Sequence, residues 1–215
     1  MSRAHASAGA RFVVVEGIEC SGKSTLLAAL AHRLRAGGYT VVLTREPGGS
    51  PLGEALRTLV LDRADAVDAR AEALLMNAAR AQHVAETIRP ALAAGATVLC
   101  DRFIDSTLAY QGYGRGVDIG TLRAVNAAAT GGLEPNLTLL LDVPVRVSRE
   151  RMRLRAGAAD RFEREDDAFH ERVRDGYLEL AAESAHVVLD GTLAPQEIYE
   201  HAMQALHAAT VHAHA

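Results

Sequence analysis

The stretch that decides the fold reads Phe12-Val13-Val14-Val15-Glu16-Gly17-Ile18-Glu19-Cys20-Ser21-Gly22-Lys23-Ser24. It opens with a continuous apolar run rich in valine, which predicts a buried strand. The part from Gly17 onward matches the pattern Gly-x-x-x-x-Gly-Lys-Ser, and leucines at helical spacing follow it. Strand, glycine-bearing loop and helix in this order are the context that the pattern requires. The stretch therefore predicts a loop that wraps the phosphates of a nucleotide.

The chemistry of this loop predicts ATP as its ligand, together with Mg²⁺. Backbone N–H groups of the loop face the phosphates, and the following helix adds its positive N-terminal end. Lys23 is expected at the β and γ phosphates and Ser24 at the metal ion, whereas Cys20 is interpreted as a spacer because phosphoryl transfer needs no covalent enzyme intermediate. The predicted ATP-binding residues are Gly17, Ile18, Glu19, Cys20, Ser21, Gly22, Lys23, Ser24 and Thr25.

Composition restricts the remaining function classes. The chain has 215 residues, 49% of them hydrophobic, and a formal net charge of −4, which argues against a nucleic-acid coat or a membrane-surface protein. No apolar run is long enough for a membrane span and no secretory signal is recognisable, so we expect a cytoplasmic protein. Cys20 and Cys100 are expected to be reduced thiols. Four histidines near the C-terminus are interpreted as part of a solvated segment rather than a metal site: His201, His207, His212 and His214.

Apolar runs separated by stretches of helical length predict an α/β fold with a five-stranded parallel sheet and helices on both faces. We expect one domain over residues 11–210, with a loose arm at 1–10 and a tail at 211–215. The predicted strands are Phe12–Val15, Tyr39–Leu43, Thr97–Cys100, Leu137–Leu141 and His186–Leu189. The predicted helices begin at Lys23 and also cover Pro51–Leu61, Ala71–Ala94 and Ile119–Ala129.

A second motif follows the third predicted strand. Asp101-Arg102 places a carboxylate and a guanidinium at the carboxyl edge of the sheet, where open α/β proteins bind ligands. Asp101 suits the water shell of magnesium, and Arg102 suits forked contacts to an acceptor phosphate. An ordinary ion pair is an equally good interpretation of these two residues when they are taken alone.

The flanking sequence removes this ambiguity. Thr44-Arg45-Glu46-Pro47-Gly48-Gly49, Ala78-Ala79-Arg80-Ala81-Gln82 and Asp101-Arg102-Phe103-Ile104-Asp105-Ser106-Thr107-Leu108-Ala109-Tyr110-Gln111-Gly112 occur in this order. Together they resemble bacterial thymidylate kinases over most of the chain. The resemblance implies a P-loop nucleoside monophosphate kinase fold, conversion of dTMP to dTDP with ATP and Mg²⁺ in dTTP synthesis, and a homodimer.

The resemblance also implies roles for single residues. Glu19 matches the acidic loop residue near the acceptor's sugar and phosphate, and Arg45 and Arg102 match arginines near the acceptor phosphate. Arg80 matches the arginine that bonds a thymine carbonyl, and Thr107 matches a polar residue at the base edge.

Three further residues complete the expected acceptor site. Tyr110 matches an aromatic residue beside the 2′ carbon of the sugar, which favours deoxyribose by clash. Gln111, in the same motif, is included in the substrate-binding set. Met76 departs from the family pattern, because relatives usually have a phenylalanine that stacks on thymine, and a thioether packs against a ring without stacking on it.

An arginine-rich segment, residues 146–164, is predicted to form a lid. Arg146, Arg149 and Arg153 share one helical face, and Arg151 and Arg155 lie on another. Because the phosphate loop contains no arginine, the resemblance implies that the lid supplies the positive charge. Arg155 is the first candidate, with Arg151, Arg153 and Arg161 behind it, and about half of the lid arginines are expected to pair with Glu150, Asp160 and Glu163.

The predicted catalytic residues are Lys23, Asp101, Arg102 and Arg155. A phosphate monoester is already ionised near neutral pH, so direct in-line transfer needs no general base. A deoxynucleoside kinase is the nearest alternative, but a hydroxyl acceptor requires a carboxylate base. A non-catalytic nucleotide-binding module is the alternative from another class, and the presence of Lys23, Ser24 and Asp101 argues against it. A GTPase is disfavoured because the sequence has no Asn-Lys-x-Asp segment.

Overall fold

The structure is a computed structural model that describes residues 11–61, 67–155, 159–184 and 186–212. The predicted arm at 1–10, residues 156–158 of the predicted lid and residues 213–215 of the predicted tail lie outside this part. No helix in the described part is both long and apolar enough to span a membrane.

Five strands form one parallel sheet with the order β2-β3-β1-β4-β5. The predicted α/β class and five-stranded parallel sheet are confirmed. The strands are β1 (Phe12–Glu16), β2 (Val41–Arg45), β3 (Thr97–Asp101), β4 (Leu137–Asp142) and β5 (Val187–Asp190).

Helices cover both faces of the sheet. In chain order they are α1 (Lys23–Ala36), α2 (Pro51–Leu61), α3 (Ala69–His83), α4 (Arg89–Ala93), α5 (Ile104–Thr107), α6 (Ile119–Thr130), α7 (Val145–Leu154), α8 (Asp167–Glu183) and α9 (Pro195–His212). Two π-helical segments, Val84–Ile88 and Leu108–Gly114, continue α3 and α5. The last helix therefore extends two residues into the predicted tail.

The helix predicted over Ala71–Ala94 is found as a continuous helical stretch over residues 69–93. It is α3, the segment Val84–Ile88 and α4 in succession. Pro90 lies at the start of α4, where it offers no N–H and its ring crowds the carbonyl one turn earlier. This crowding accounts for the wider π turn that precedes it.

The two edge strands, β2 and β5, are only partly buried. β2 starts at Val41 and not at Tyr39, because the Tyr39 N–H still bonds the Leu34 carbonyl at 3.1 Å and closes the end of α1. Leu43 in β2 is 44% exposed and Val188 in β5 is 48% exposed. An apolar run does not distinguish an edge strand from a central one.

The register of the central strands sets the position of the functional edge. Val15 of β1 lies opposite Asp101 of β3, and the Arg102 N–H bonds the Val15 carbonyl at 3.0 Å. The loop after β1 and the residues that follow β3 therefore leave the sheet side by side. Phe12 and Phe103 pack edge to face beneath them and fix this corner of the core.

Candidate active site

A cavity of about 1010 Å³ opens at this carboxyl edge. Its wall combines the phosphate loop, the end of β3, one side of α3, the segment Leu108–Gly114 and the lid. All predicted site residues line this cavity except Gly17 and Ile18. The cavity therefore brings together residues from widely separated parts of the sequence.

The phosphate loop is tightly folded against β4. Gly17 has a φ of 138°, and a Cβ there would lie 2.5 Å from the Leu141 carbonyl oxygen, so only glycine fits. Gly22 has a φ of 111° at the start of α1. Cys20 also has a positive φ, of 53°, and its thiol is half-buried. Burial raises the pKa of this thiol, which agrees with the interpretation of Cys20 as a spacer.

Lys23 is buried and bonded to its own loop. Its Nζ donates to the Gly17 carbonyl at 3.0 Å and to the Ile18 carbonyl at 2.8 Å. Gly17 and Ile18 therefore hold the lysine from below instead of lining the cavity. Burial and the nearby positive charge of Arg102 lower the Lys23 pKa to about 8, although Asp101 and Glu19 oppose the shift.

Ser24 and Asp101 meet at the end of β3. Ser24 Oγ donates to Asp101 Oδ2 at 3.1 Å. The other carboxylate oxygen, Asp101 Oδ1, is buried and has no hydrogen-bond partner among the described residues. Buried polar atoms normally have a partner, so this orphaned oxygen is available to a metal ion or its water.

Arg102 is the centre of a polar network. Its φ is 71°, an uncommon value for a residue with a side chain, and this conformation turns the guanidinium into the cavity. Nη2 donates to Glu19 Oε1 and to the Tyr110 hydroxyl, both at 3.1 Å, and Nη1 donates to the Tyr177 hydroxyl at 2.9 Å. The arginine is thus fixed before any substrate binds.

Glu19 is held as a carboxylate by the same network. The Tyr110 hydroxyl donates to its Oε1 at 2.5 Å. Burial works to raise its pKa, but His170, Arg102, Lys23 and Tyr110 outweigh burial and place the pKa well below the usual range.

Glu16 supports this network from beneath and was not predicted as a site residue. It is fully buried at the end of β1 and accepts hydrogen bonds from the Phe103 N–H at 2.7 Å, Ser106 Oγ at 2.7 Å and the Tyr177 hydroxyl at 3.0 Å. Burial, with repulsion from Asp105, raises its pKa despite these bonds. In the sequence, a glutamate at the end of an apolar strand does not indicate that it holds other site residues in place.

Arg80 closes the opposite end of the cavity and is almost completely buried. Nε donates to Glu46 Oε2 at 2.8 Å, and Nη2 donates to the Phe103 carbonyl at 2.8 Å. Nη1 is surrounded by the side-chain oxygens of Thr107 at 3.0 Å, Asn126 at 2.6 Å and Asn77 at 3.3 Å. Among the described residues, one N–H of Nη2 has no acceptor and can serve a ligand.

The remaining residues predicted for the acceptor site differ in their burial and in their contacts. Tyr110 is buried, and its ring packs edge to face on Phe162 of the lid segment. Met76 is partly buried at the cavity wall. Gln111 lines the cavity, but its amide Nε2 donates to Glu72 Oε1 at 2.6 Å. One N–H of this amide therefore holds the protein scaffold, and the substrate contact of Gln111 stays a prediction.

Two further arginines line the cavity from β2 and α2. Arg45 is 55% exposed and pairs with Glu54 at 3.0 Å. Arg57, which the sequence analysis missed, is half-buried, lines the cavity and donates to the Pro47 carbonyl at 3.0 Å. Burial and the charge of Arg45 lower the Arg57 pKa. The sequence does contain a hint of this position, because Arg57 follows the turn at Gly48-Gly49 by about two helical turns.

The lid begins as the helix α7, and its residues 161–164 form a turn. Arg151 and Arg155 line the cavity, as their shared face predicts, and Arg153 does not. Arg149 points away and donates to the Glu163 carbonyl at 2.8 Å. Arg161 does not line the cavity either, because it pairs with Glu72 and donates to the Val60 carbonyl at 3.0 Å. Two of the four candidate lid arginines therefore face the cavity.

Comparison with known proteins places this geometry in a family. A family model described as thymidylate kinase matches residues 15–202. The chain belongs to the thymidylate kinase family. It is 56% identical over 196 residues to a thymidylate kinase of Desulfovibrio desulfuricans, with 87% of this chain and 90% of the relative covered. A thymidylate kinase of Thermomicrobium roseum is 51% identical over 189 residues, with 87% and 90% covered.

A solved structure agrees in fold. The crystal structure of thymidylate kinase from Ehrlichia chaffeensis superposes with a TM-score of 0.75 at 34% identity, with 92% of this chain and 99% of that chain covered. The predicted thymidylate kinase resemblance and the phosphotransferase class are thereby confirmed.

Proposed function

We propose that this chain transfers the terminal phosphoryl group of ATP to dTMP and so forms dTDP for dTTP synthesis. The observation that carries the proposal is the shared cavity, in which Lys23 of the phosphate loop, Arg102 after β3 and the pocket of Arg80 line one continuous space. Two nucleotides can therefore meet with their phosphates together. Membership of the thymidylate kinase family supports the choice of acceptor.

The charges of the site favour a phosphate acceptor over a sugar hydroxyl. Arg45, Arg57 and Arg102 supply positive charge on the acceptor side. Glu19 would be the natural base of a deoxynucleoside kinase, but its low pKa and its bonds to Arg102 and Tyr110 make it a weak base. Because a phosphate monoester is already ionised, the proposed reaction does not need one.

The pocket of Arg80 suits a thymine base. Its remaining N–H can donate to a carbonyl oxygen, and Thr107 beside it offers a hydroxyl. Tyr110, wedged between Glu19 and the lid, is placed to exclude a ribose 2′-hydroxyl.

The donor side suits ATP with Mg²⁺. Ser24 Oγ and the unpartnered Asp101 Oδ1 are hard oxygen ligands of the kind that magnesium or its water shell prefers. When bound, the ion would neutralise phosphate charge. Lys23 holds the terminal phosphates, Arg102 orients the acceptor phosphate, and Arg155 of the lid stabilises charge on the transferred group.

A homodimer and a cytoplasmic location also belong to this proposal. Exposed leucines on α2 and α3 support dimerisation through a second copy of the chain: Leu52 is 49% exposed, Leu59 is 42% exposed and Leu74 is 58% exposed. Apolar surface of this kind is typical of interfaces when it is contiguous. Light scattering coupled to size exclusion should give twice the chain mass, and Leu74→Glu should give the monomer. A monomeric wild-type chain would contradict this part.

A coupled ADP-release assay tests the reaction itself. The full chain is offered dTMP, dUMP, UMP, dCMP and thymidine in turn with ATP and Mg²⁺. We expect the highest kcat/KM with dTMP and no significant turnover of thymidine. A preference for thymidine over dTMP would overturn the choice of acceptor.

A further inference from the structure

His170 is a buried titratable residue that the proposed reaction does not use. It lies in the first turn of α8, which Asp166 caps by accepting from the Phe169 N–H at 2.7 Å. Its side chain is 2% exposed, and neither ring nitrogen has a hydrogen-bond partner among the described residues. A histidine in this situation requires an explanation, because buried polar atoms are normally satisfied.

The group that faces His170 is the free half of the Glu19 carboxylate. His170 Nδ1 lies 3.4 Å from Glu19 Oε2, within ion-pair range. Glu19 Oε2 is itself buried and makes no hydrogen bond within the described ranges. The other oxygen, Oε1, is already bonded to Arg102 and Tyr110. His170 is thus the residue that can hold Oε2 while Oε1 engages the network.

Residues on one face of α8 contact both Glu19 and Arg102. Tyr177 follows His170 by two helical turns, and its hydroxyl accepts from Arg102 Nη1 at 2.9 Å. The fully buried Val173 lies between them. Gly176 allows the helix to approach closely, because a Cβ there would lie 2.5 Å from the Tyr113 ring. The position of α8 is therefore set by packing and is independent of substrate.

The backbone of Glu19 is fixed from the neighbouring helix. Ser148 Oγ of α7 donates to the Glu19 carbonyl at 2.7 Å. The carboxylate is held at Oε1 by Arg102 and Tyr110, but these bonds leave the position of Oε2 without a contact of its own. A contact on Oε2 fixes the second oxygen and keeps Oε1 directed at Arg102.

We propose that His170 is a positioning residue that acts through Glu19 to orient Arg102 toward the acceptor phosphate. This inference rests on the proposed function, because it assigns Arg102 to the acceptor. Only a ring that carries a proton on Nδ1 meets a carboxylate oxygen favourably, so the required property is a hydrogen-bond donor at that place. His170→Asn retains a donor near the Nδ1 position, His170→Gln places it near Nε2, and His170→Leu removes it.

Steady-state kinetics of the full-length variants test the proposal. We expect His170→Leu to raise KM for dTMP about tenfold, as for a lost contact to a charged group, and to change KM for ATP less than about twofold. His170→Asn should remain within about threefold of wild type for dTMP. His201→Leu, which removes an exposed histidine of α9, is the matched control and should change neither constant.

A double-mutant cycle with Glu19→Gln separates positioning from packing. If His170 acts through Glu19, adding His170→Leu to Glu19→Gln should change KM for dTMP less than about twofold further. Additive effects, or a His170→Asn variant no better than His170→Gln, would overturn the proposal. If His170→Leu does not fold, the comparison of Asn with Gln decides alone. Absence of dTMP turnover in the wild-type chain would instead refute the proposed function.

Discussion

Arg151 of the lid donates from Nη1 to the Ser21 carbonyl oxygen of the phosphate loop at 3.1 Å. Its Nη2 donates to the Gly191 carbonyl at 2.8 Å, so the guanidinium joins α7 to the loop and to the turn after β5. Arg155, one helical turn later, has a different environment: it is half-exposed, pairs with Glu163 at 2.7 Å and lies 3.9 Å from Cys20 Sγ. Two arginines on one predicted face therefore have different contacts: Arg151 bonds two backbone carbonyls, and Arg155 pairs with Glu163.

The first prediction concerns Arg155. Arg155→Ala should lower kcat on the order of 10²–10³-fold, the effect of removing one group that stabilises transition-state charge, and leave KM for dTMP nearly unchanged. Initial-rate measurements at saturating ATP check this result. Arg146→Ala, at an exposed position on another face of α7, is the control and should retain full activity. Equal losses in kcat and in dTMP affinity would show that Arg155 only binds substrate.

The lowered pKa of Lys23 predicts that kcat/KM for ATP depends on pH. Its pKa is lowered to about 8 in the free protein, chiefly by burial, so the ammonium is present below pH 8 and is lost as pH rises through that value. We expect kcat/KM for ATP to fall above about pH 8, and kcat to fall at a higher pH because bound phosphates favour the ammonium. Lys23→Arg should be slower but should lack this decline, since a guanidinium stays charged. A decline that persists in Lys23→Arg would assign it to another group.

The fold could be predicted because its signals are local. The run before Gly17, the glycine pattern and the leucines after Lys23 specify strand, loop and helix without tertiary information. Edge and central strands carry the same signal, so the exposure of Leu43 could not be predicted. The π turn before Pro90 depends on how a helix accommodates one missing donor, which a period of 3.6 residues does not reveal.

The site was only partly predictable, for a related reason. Residues such as Arg102 and Tyr110 were found because they belong to the motif on which the family resemblance rests, and the structure gathers them in one cavity. Supporting residues such as Glu16, His170 and Tyr177 act through neighbours that lie 70 or more residues away in sequence. Their residue types are common in cores and helices, so only three-dimensional packing identifies them.

Tyr110 predicts how the enzyme selects deoxyribose. Tyr110→Leu should reduce the preference for dTMP over its ribonucleotide counterpart, because the smaller side chain no longer occupies the space beside the 2′ carbon. Tyr110→Phe is the matched control: it retains the ring but loses the hydroxyl bonds to Glu19 and Arg102. It should keep the preference while raising KM. The ratio of kcat/KM for the two acceptors is the measurement, and equal ratios in both variants would contradict a steric role.

Replacement of Met76 by phenylalanine is expected to increase the affinity for dTMP. Met76→Phe should lower KM for dTMP about threefold to tenfold, the value of an aromatic pair beyond area burial, because an aromatic ring can stack on the base. The Met76 side chain is partly buried and lines the cavity, so a ring at this position would border the same space. KM for ATP in the same assay is the internal control and should not change. A higher KM for dTMP would show that the thioether is required by the shape of the pocket.

Substitution of Glu72 is expected to cause a large loss of stability. It is completely buried, and its carboxylate accepts from Gln111 Nε2 at 2.6 Å, from Arg115 Nε at 3.0 Å and from Arg161 Nη2. Glu72→Gln leaves the buried Arg161 guanidinium without its carboxylate partner, whereas Arg115 keeps its pair with Glu165. The uncompensated charge of Arg161 should lower the free energy of unfolding by about 3–5 kcal/mol. Urea unfolding followed by circular dichroism measures this loss.

The control for Glu72 is the exposed pair of Glu183 with Arg123, whose side chains are 46% and 52% exposed. Glu183→Gln should cost less than about 1 kcal/mol, because solvent already screens the charges. The two variants change the same chemical group, so the difference between them isolates burial. If both lose the same small amount, the Glu72 cluster does not anchor Arg161, and the lid segment around it must be held by the packing of Phe162 and by the hydrogen bond from Arg161 to the Val60 carbonyl.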